Sequence, residues 1–304
     1  VLGRADRYRA WTLRSRGGDV SVSGPGLSRP RRFDSVAVVP DDAGALVFLE
    51  GRPYRGRASA YVVEGHGLVL RSDVPLEPYV ASVVSGELGP AGRHEQEAVK
   101  ALAVASRTYA VRNRGRRDSL GADLLATADD QVYRGRLAER PAVTEWTRAT
   151  AGEVIVHDGE PIRAHYHAAC GGRTARPGDL WERDGAEHLE SIRDTAADGR
   201  DYCRLAPLHR WDRRWSRAEV VAALERRRRG SAAAVDPTPA DSTRDRPRTT
   251  APSTLRSLTV EERSSTGRVT RLVAVLTGDT VAVEKDALLT LFGASERGLP
   301  STWF

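Results

Sequence analysis

The stretch SVVSGELG, residues 82–89, places a single carboxylate at the end of an apolar helix. Apolar residues recur there at spacings of three and four, which predicts the helix; they are Leu76, Tyr79, Val80, Val83 and Val84. Glu87 then falls at the negative end of the helix dipole, and Leu88 and Pro90 are expected to limit its contact with solvent. Both conditions favour the protonated carboxyl group, which is the form that general acid catalysis requires.

A second helix is predicted from about residue 94 to 114. Its apolar positions recur at three-to-four spacing and are expected to face the core; they are Ala98, Ala101, Leu102, Ala105, Tyr109 and Val111. Lys100 and Arg107 lie in the same helix, where they either extend to solvent along their aliphatic stems or serve a specific purpose. Lys100 is one of two lysines among 47 lysines and arginines, which favours a purpose specific to an ammonium group.

Two cysteines and two histidines form another candidate site. His167 and Cys170 have H-x-x-C spacing, and Cys203 and His209 follow on a later segment. Two Cys and two His are enough for a tetrahedral zinc ion, whereas an exported protein could form a Cys170–Cys203 disulfide instead. The neighbouring histidines favour zinc, and the disulfide and two unmodified thiols stay open as alternatives.

The elements that position these residues predict an α+β fold. Short Val-rich runs broken by Gly, Pro and Asp predict a β-rich N-terminal part over residues 1–72. A helical core is expected at 73–215, with a β-hairpin that turns at Asp158–Gly159. The remainder, 216–304, is expected to close the core.

The predicted closing part begins with a surface helix over residues 217–229 and ends with two strands and a short helix. Between them, residues from about 230 to 254 are rich in Pro, Ser, Thr and charge, which predicts a flexible insertion.

Composition narrows the partners and the compartment. The net charge of +6 favours anionic partners, but no compact basic stripe is interleaved with aromatic residues, so nucleic acid is not expected. No run of 18 apolar residues is present, so no membrane span is expected in this sequence. The lack of methionine and the two cysteines favour an exported, processed protein of the cell wall, periplasm or extracellular space.

Three blocks together resemble the SpoIID/LytB domain family. They read VPLEPYVASVVSGELG…EQEAVKALAVASRTYAVRN, then QVYRG, then ATAGEVIVHDGEPIRAHYHAACGGRT. The resemblance runs from about residue 53 to 304 without the insertion, and it implies a bacterial cell-wall protein. SpoIID members are lytic transglycosylases that cut MurNAc–GlcNAc bonds of peptidoglycan glycan strands, preferring strands without stem peptides. LytB-type members are non-catalytic enhancers of N-acetylmuramoyl-L-alanine amidases.

The resemblance also implies site residues. The catalytic acid of the family falls on Glu87, where this sequence has Leu88 in place of the usual following Met. Residues implied to contact substrate are Lys100, Arg107, Tyr109, Gln131, Tyr133, Gly171, Gly172 and Thr174. Some members hold zinc with a His/Cys set at this point in the chain, which implies a structural ion and no cofactor for the chemistry itself.

Transglycosylation explains why one carboxylate suffices. A hydrolase of the usual kind needs a second carboxyl group about 5 to 10 Å from the first. A lytic transglycosylase uses one Glu to protonate the leaving oxygen and then to accept the proton of the C6 hydroxyl of the same sugar, which gives a 1,6-anhydro product. The sequence therefore predicts a glycan-cleaving lyase that acts on glycan strands, with an amidase enhancer or a structural wall scaffold as alternatives.

Overall fold

The computed structural model describes residues 10–42, 44–88, 95–181, 189–233, 253–293, 298–302 and 304. The chain divides into two compact units, residues 1–166 and 167–304. Helices and small antiparallel sheets occur together, which confirms the predicted α+β class. The three-part division expected from the sequence stays a prediction.

The first unit begins with antiparallel strands. One sheet joins β1 (Thr12–Arg16), β2 (Asp19–Ser23) and β3 (Arg31–Phe33) in that order. The strands that follow are β4 (Ser35–Val38), β5 (Val47–Leu49), β6 (Arg52–Tyr54), β7 (Arg57–Val63) and β8 (Gly67–Asp73). Strand β7 lies between β4 and β8, and β5 pairs with β6. The β-rich character predicted for this part is confirmed.

Three helices pack together in the first unit: α1 (Leu76–Glu87), α2 (Gln96–Arg112) and α3 (Pro141–Arg148). Their shared core contains Val80, Val84, Val99, Ala103 and Val143. Helix α1 ends at Glu87, as its periodicity predicted.

The buried face of α2 differs from the predicted one. Ala98, Ala101 and Val111 are exposed. The buried positions instead include three polar residues in succession, Ser106, Arg107 and Thr108. Leu102 of the predicted face does pack against the core, but the exposed alanines and Val111 do not. The prediction followed the alanines, whereas Arg107 and Thr108 are buried because they find hydrogen-bond partners elsewhere in the unit.

The first unit ends with the predicted hairpin, β9 (Val156–His157) and β10 (Glu160–Pro161). Asp158 and Gly159 form its turn with φ of 51° and 82°. Positive φ at both central residues is the requirement of the type I′ turn, and Asp-Gly meets it at low cost.

The second unit contains α4 (Pro177–Leu180), α5 (Arg217–Ala233) and α6 (Asp286–Thr290). Its sheet has the order β11 (Leu255–Arg263), β12 (Val269–Leu276) and β13 (Asp279–Glu284). Val220, Ala223 and Leu224 of α5 are buried in the same core as β12, so the helix predicted over 217–229 is present but contributes a core face. Of the predicted flexible insertion, residues 234–252 lie outside the described residues.

Within the described parts of the chain, none of the helices combines the length and apolar character that crossing a bilayer requires.

Candidate functional site

Glu87 is half-buried at the last turn of α1, and the described residues hold only one of its carboxyl oxygens. The backbone N–H of Val132 donates to Oε1 at 3.0 Å, and the Tyr166 hydroxyl donates to the same atom at 3.3 Å. No described residue donates to Oε2. The carboxyl group is therefore fixed through one oxygen and leaves the other available to a ligand.

The surroundings of Glu87 differ from the apolar ones that were expected. Leu88 packs against the core of the helical part, and Pro90 lies outside the described residues. The groups that contact the carboxyl group are hydrogen-bond donors from other parts of the first unit.

Gly86 allows the segment that carries Val132 to approach α1 closely. A Cβ atom added at Gly86 would lie 2.6 Å from the carbonyl oxygen of Val132 and 3.5 Å from its Cγ1. Any side chain at this position would push the segment away, because protein interiors have no spare room at that distance. The glycine before the acid is thus required for the hydrogen bond to Glu87.

Gln131 connects Glu87 to the core through Tyr166. Its side chain is fully buried, and Nε2 donates to the Tyr166 hydroxyl and to the carbonyl of Ser106, each at 3.2 Å. The Tyr79 hydroxyl donates to Oε1 of Gln131 at 3.0 Å. Every polar atom of the amide therefore has a partner inside the unit, and the network fixes the direction in which Tyr166 donates.

Burial keeps the tyrosines of this network protonated. It raises the pKa of Tyr166 to about 12, with the carboxylate of Glu87 as a further cause. It also raises the pKa of Tyr79. A hydroxyl that keeps its proton at neutral pH remains a donor, so Tyr166 continues to hold Glu87 throughout the physiological range.

Arg107 is fully buried and joins α1 to α2. Its Nε and Nη2 atoms bind both carboxylate oxygens of Glu77 at 2.8 Å, and Nη1 donates to the carbonyl of Glu153 at 3.1 Å. The hydrogen bonds from Arg107 are the leading cause that lowers the pKa of Glu77. With a side chain only 1% exposed, Arg107 offers no donor to a ligand, and we interpret it as a structural clamp.

Lys100 and Tyr109, the other residues of α2 with an implied substrate role, have partners of their own. Lys100 pairs with the exposed Glu97 at 2.8 Å. Tyr109 donates to Oδ1 of Asp130 at 3.2 Å. Substrate contacts by these residues stay predictions.

Asp130 is a buried carboxylate that the sequence reasoning missed. Arg117 binds it at 2.7 Å, and the backbone N–H of Leu125 donates to it at 2.8 Å. Burial opposes ionisation, but these hydrogen bonds outweigh it and lower the pKa of Asp130. Its position directly before the QVYRG block is the sequence feature that could have indicated a role for Asp130 in the site.

Tyr133 lies in the same segment and belongs to the core. It is 8% exposed, and its ring packs on Tyr79 with centroids 5.1 Å apart. Burial raises its pKa to about 12. Of the segment 130–133, Asp130, Gln131 and Tyr133 thus bond or pack inside the unit, and only the backbone of Val132 reaches the candidate acid. Neither that N–H nor Tyr166 had been singled out from the sequence.

The second unit contains the four residues of the predicted zinc set, His167, Cys170, Cys203 and His209. Sγ of Cys170 and Sγ of Cys203 are 3.8 Å apart as thiols, and Cys170 donates to Asp194 at 3.2 Å. Burial and the carboxylate of Asp194 raise the pKa of Cys170 to about 12. Burial acts to raise the pKa of Cys203, but hydrogen bonds from the backbone N–H groups of residues 170–172 outweigh it, so the pKa is lowered.

The expected zinc set does not gather in this geometry. His209 bonds Asp201 at 2.8 Å, and among the described residues no three side chains of His, Cys, Asp or Glu form a group that could hold a metal ion. His167 is exposed and does not join the two sulfurs in such a group. Zinc at His167, Cys170, Cys203 and His209 stays a prediction, as does the disulfide, and no chemical step is assigned to a metal.

The glycines after Cys170 form a tight turn. Gly171 and Gly172 have φ of 74° and 99°, and a Cβ at Gly172 would lie 2.2 Å from a carboxylate oxygen of Asp201. The hydroxyl of Thr174 accepts the N–H of Ile192 at 2.7 Å. Their implied contacts with substrate stay predictions.

Comparison with known proteins agrees with the resemblance. Residues 64–157 match the family model SpoIID, described as "Stage II sporulation protein". Stage II sporulation protein D of Bacillus subtilis is 27% identical over 136 residues, covering 40% of this chain and 39% of that protein. Its namesake in Bacillus amyloliquefaciens is 27% identical over 185 residues, covering 56% and 52%.

An "Uncharacterized protein" of Brachyspira hyodysenteriae is 31% identical over 127 residues, covering 41% of this chain and 34% of its own length. The chain therefore spans between about a third and a half of these relatives. The matched segment, 64–157, contains α1, α2 and residues 130–133, and thus most of the residues that surround Glu87. Over this segment the chain is similar to the SpoIID family.

Proposed function

We propose that this protein acts on the bacterial cell wall as a lytic transglycosylase of peptidoglycan, with Glu87 as its general acid and base. The proposal joins the match of residues 64–157 to the SpoIID family model with the geometry around one carboxyl group. The observation that carries it is the asymmetric fixation of Glu87, with both donors on Oε1 and none from a described residue on Oε2.

That asymmetry suits proton transfer to and from a sugar. Val132 and Tyr166 hold the carboxyl group in one orientation, and Oε2 is left to protonate the glycosidic oxygen. After bond cleavage the same carboxylate accepts the proton of the C6 hydroxyl, whose oxygen closes on C1 to form the 1,6-anhydro ring. The two donors on Oε1 stabilise the carboxylate between these steps.

Two other acids of the first unit are engaged elsewhere. Arg107 binds both oxygens of Glu77, and Arg117 and a backbone N–H bind Asp130. Both carboxyl groups have lowered pKa values, so each is an anion held by an arginine. Neither is suited to activate a water molecule, which supports intramolecular attack by the sugar over hydrolysis.

The test compares wild-type protein with Glu87→Gln on intact peptidoglycan and on amidase-stripped glycan, with products identified by mass spectrometry. We expect the wild type to release 1,6-anhydro products, which are one water lighter than products of hydrolysis. Loss of the general acid should lower the rate roughly 10²- to 10⁴-fold. Glu145→Gln is the matched control, since Glu145 is an exposed glutamate of α3, and it should leave the rate unchanged.

Two results would contradict the proposal. Products without the anhydro ring would identify a hydrolase, and undiminished release by Glu87→Gln would remove Glu87 from the chemistry. If the wild type releases nothing but accelerates a cell-wall amidase, the non-catalytic enhancer is the correct assignment.

A further inference from the structure

A cleft in the second unit is rich in arginine and hydroxyl groups. It has a volume of about 430 Å³, within the range of small-molecule sites. Its lining includes Arg173, Arg176 and Arg193, together with the hydroxyl-bearing residues Ser191, Thr195, Ser265 and Thr266. The acid in the lining is Asp201, which is bonded to His209 at 2.8 Å. The described lining thus carries more positive than negative charge.

Two of these arginines lie directly opposite each other. Arg173 and Arg193 form an antiparallel bridge, and the neighbouring backbone hydrogen bonds join Asp194 to Gly172 and Thr174 to Ile192. This is the arrangement without hydrogen bonds between the paired residues, which brings their side chains closest. Like charges at opposed positions destabilise a sheet unless an anion lies between them.

Neither opposed arginine is neutralised within the described residues. The side chain of Arg173 donates to the hydroxyl and carbonyl of Ser191, which are uncharged acceptors. Arg193 is exposed and has no hydrogen bond or ion pair to a described residue. Arg176 pairs with the exposed Glu190 at 2.8 Å. Two guanidinium groups are therefore available to an oxyanion at this place.

We propose that the Arg173–Arg193 cleft binds the carboxylate of a saccharide acid, namely the free lactyl carboxylate of N-acetylmuramic acid. The identity of this sugar rests on the proposed function. Guanidinium groups match the geometry of a carboxylate, and the hydroxyl and glycine backbone groups of the lining suit sugar hydroxyls. When a stem peptide is attached, the same lactyl group is a neutral amide, which cannot form the charge-assisted bonds. The cleft thereby distinguishes stripped from peptide-bearing sugar units.

The experiment is an NMR titration of the full chain carrying Glu87→Gln, which prevents turnover. The probes are N-acetylmuramic acid, its lactyl amide, N-acetylglucosamine and glycerol phosphate. We expect the acid to bind at least tenfold more tightly than the amide or N-acetylglucosamine, and its affinity to fall with added salt. Glycerol phosphate tests whether phosphate, rather than a sugar carboxylate, is the preferred oxyanion.

Arg193→Gln in the same background should weaken binding of the acid about tenfold or more, the effect of losing one charge-assisted contact. Arg193→Lys should give an intermediate affinity, because lysine keeps the positive charge but cannot donate two parallel hydrogen bonds to one carboxylate. The matched control is Arg256→Gln, since Arg256 is an exposed arginine of β11 outside the cleft lining, and it should leave binding unchanged.

Equal binding of acid and amide, equal loss in Arg193→Gln and Arg256→Gln, or tighter binding of glycerol phosphate would overturn the proposal. Its failure is distinguishable from that of the proposed function. Release of anhydro products by the wild type with no effect of Arg193→Gln on binding refutes only the cleft. Selective binding of the acid without product release supports the cleft and refutes only the catalytic assignment.

Discussion

Gly86→Ala tests whether close packing behind α1 holds the candidate acid. The added Cβ would lie 2.6 Å from the backbone carbonyl oxygen of Val132, and real contacts of this kind are not shorter than 3.0 Å. The segment must therefore retreat by several tenths of an ångström, because a backbone carbonyl cannot turn aside as a side chain can. The same movement would stretch the bond between Val132 and Glu87 from 3.0 Å to about 3.4 Å, beyond the usual range.

The expected cost is divided between stability and activity. Overpacking costs about 1–3 kcal/mol, and the higher helix propensity of alanine offsets about 1 kcal/mol of that cost. The free energy of unfolding should therefore fall by about 0–2 kcal/mol. Activity should fall more, by roughly 10- to 100-fold, because the carboxyl group loses its alignment. Urea unfolding measures the first quantity, and the rate of anhydro-product release measures the second.

Gly178→Ala is the matched control for this substitution. Gly178 is a helical glycine without positive φ, and a Cβ there would meet nothing within 4 Å. Gly178→Ala should change neither the free energy of unfolding nor the rate of anhydro-product release appreciably. Full activity of Gly86→Ala with unchanged or improved stability would show that close packing at Gly86 does not align Glu87.

Two further predictions concern the contacts around this site. Tyr166→Phe removes the 3.3 Å hydrogen bond to Glu87. It should slow product release about tenfold and lower the free energy of unfolding by at most about 1.5 kcal/mol. An unchanged rate and pH–rate profile would show that Tyr166 does not position Glu87. Arg107→Leu should cost about 3–5 kcal/mol in urea unfolding, and retention of full stability would contradict the clamp. Because the folded pKa of Glu77 is lowered from its ordinary value of 4.5, its contribution to stability is complete above that pH and is lost as pH falls through the folded value. Glu77→Gln should therefore reduce stability near neutral pH and flatten its decline in acid, and an unchanged acid limb would contradict this.

The sequence predicted those parts of the site that depend on local periodicity. The spacing of Tyr79, Val80, Val83 and Val84 located α1, and Glu87 followed at its end because helix length and position are local properties. The Asp-Gly turn of the hairpin was likewise predictable from two adjacent residues.

Contacts between distant residues could not be predicted in the same way. Arg107 meets Glu77 from 30 positions away, and nothing near either residue identifies its partner. The buried face of α2 is also shifted from the expected one, because buried Arg107 and Thr108 find hydrogen-bond partners that the pattern of alanines does not indicate. The donor from Val132 is a backbone N–H, which every residue except proline possesses, so no side-chain type could have revealed it.

Helix α1 was treated from the sequence as the carrier of the acid, but its partner segment sets the alignment. Asp130 meets arginine, Gln131 meets tyrosines, Val132 meets Glu87, and Tyr133 enters the aromatic core. Four consecutive residues thus have four different kinds of neighbour.

Consequently, this segment has no tolerance for a change in chain length. Deleting or inserting one residue would exchange every neighbour at once; a shift in one direction places a carboxylate where an amide belongs and an aliphatic side chain where a ring belongs. Changes in loop length during evolution should therefore be absent from residues 130–133, even where single substitutions are accepted.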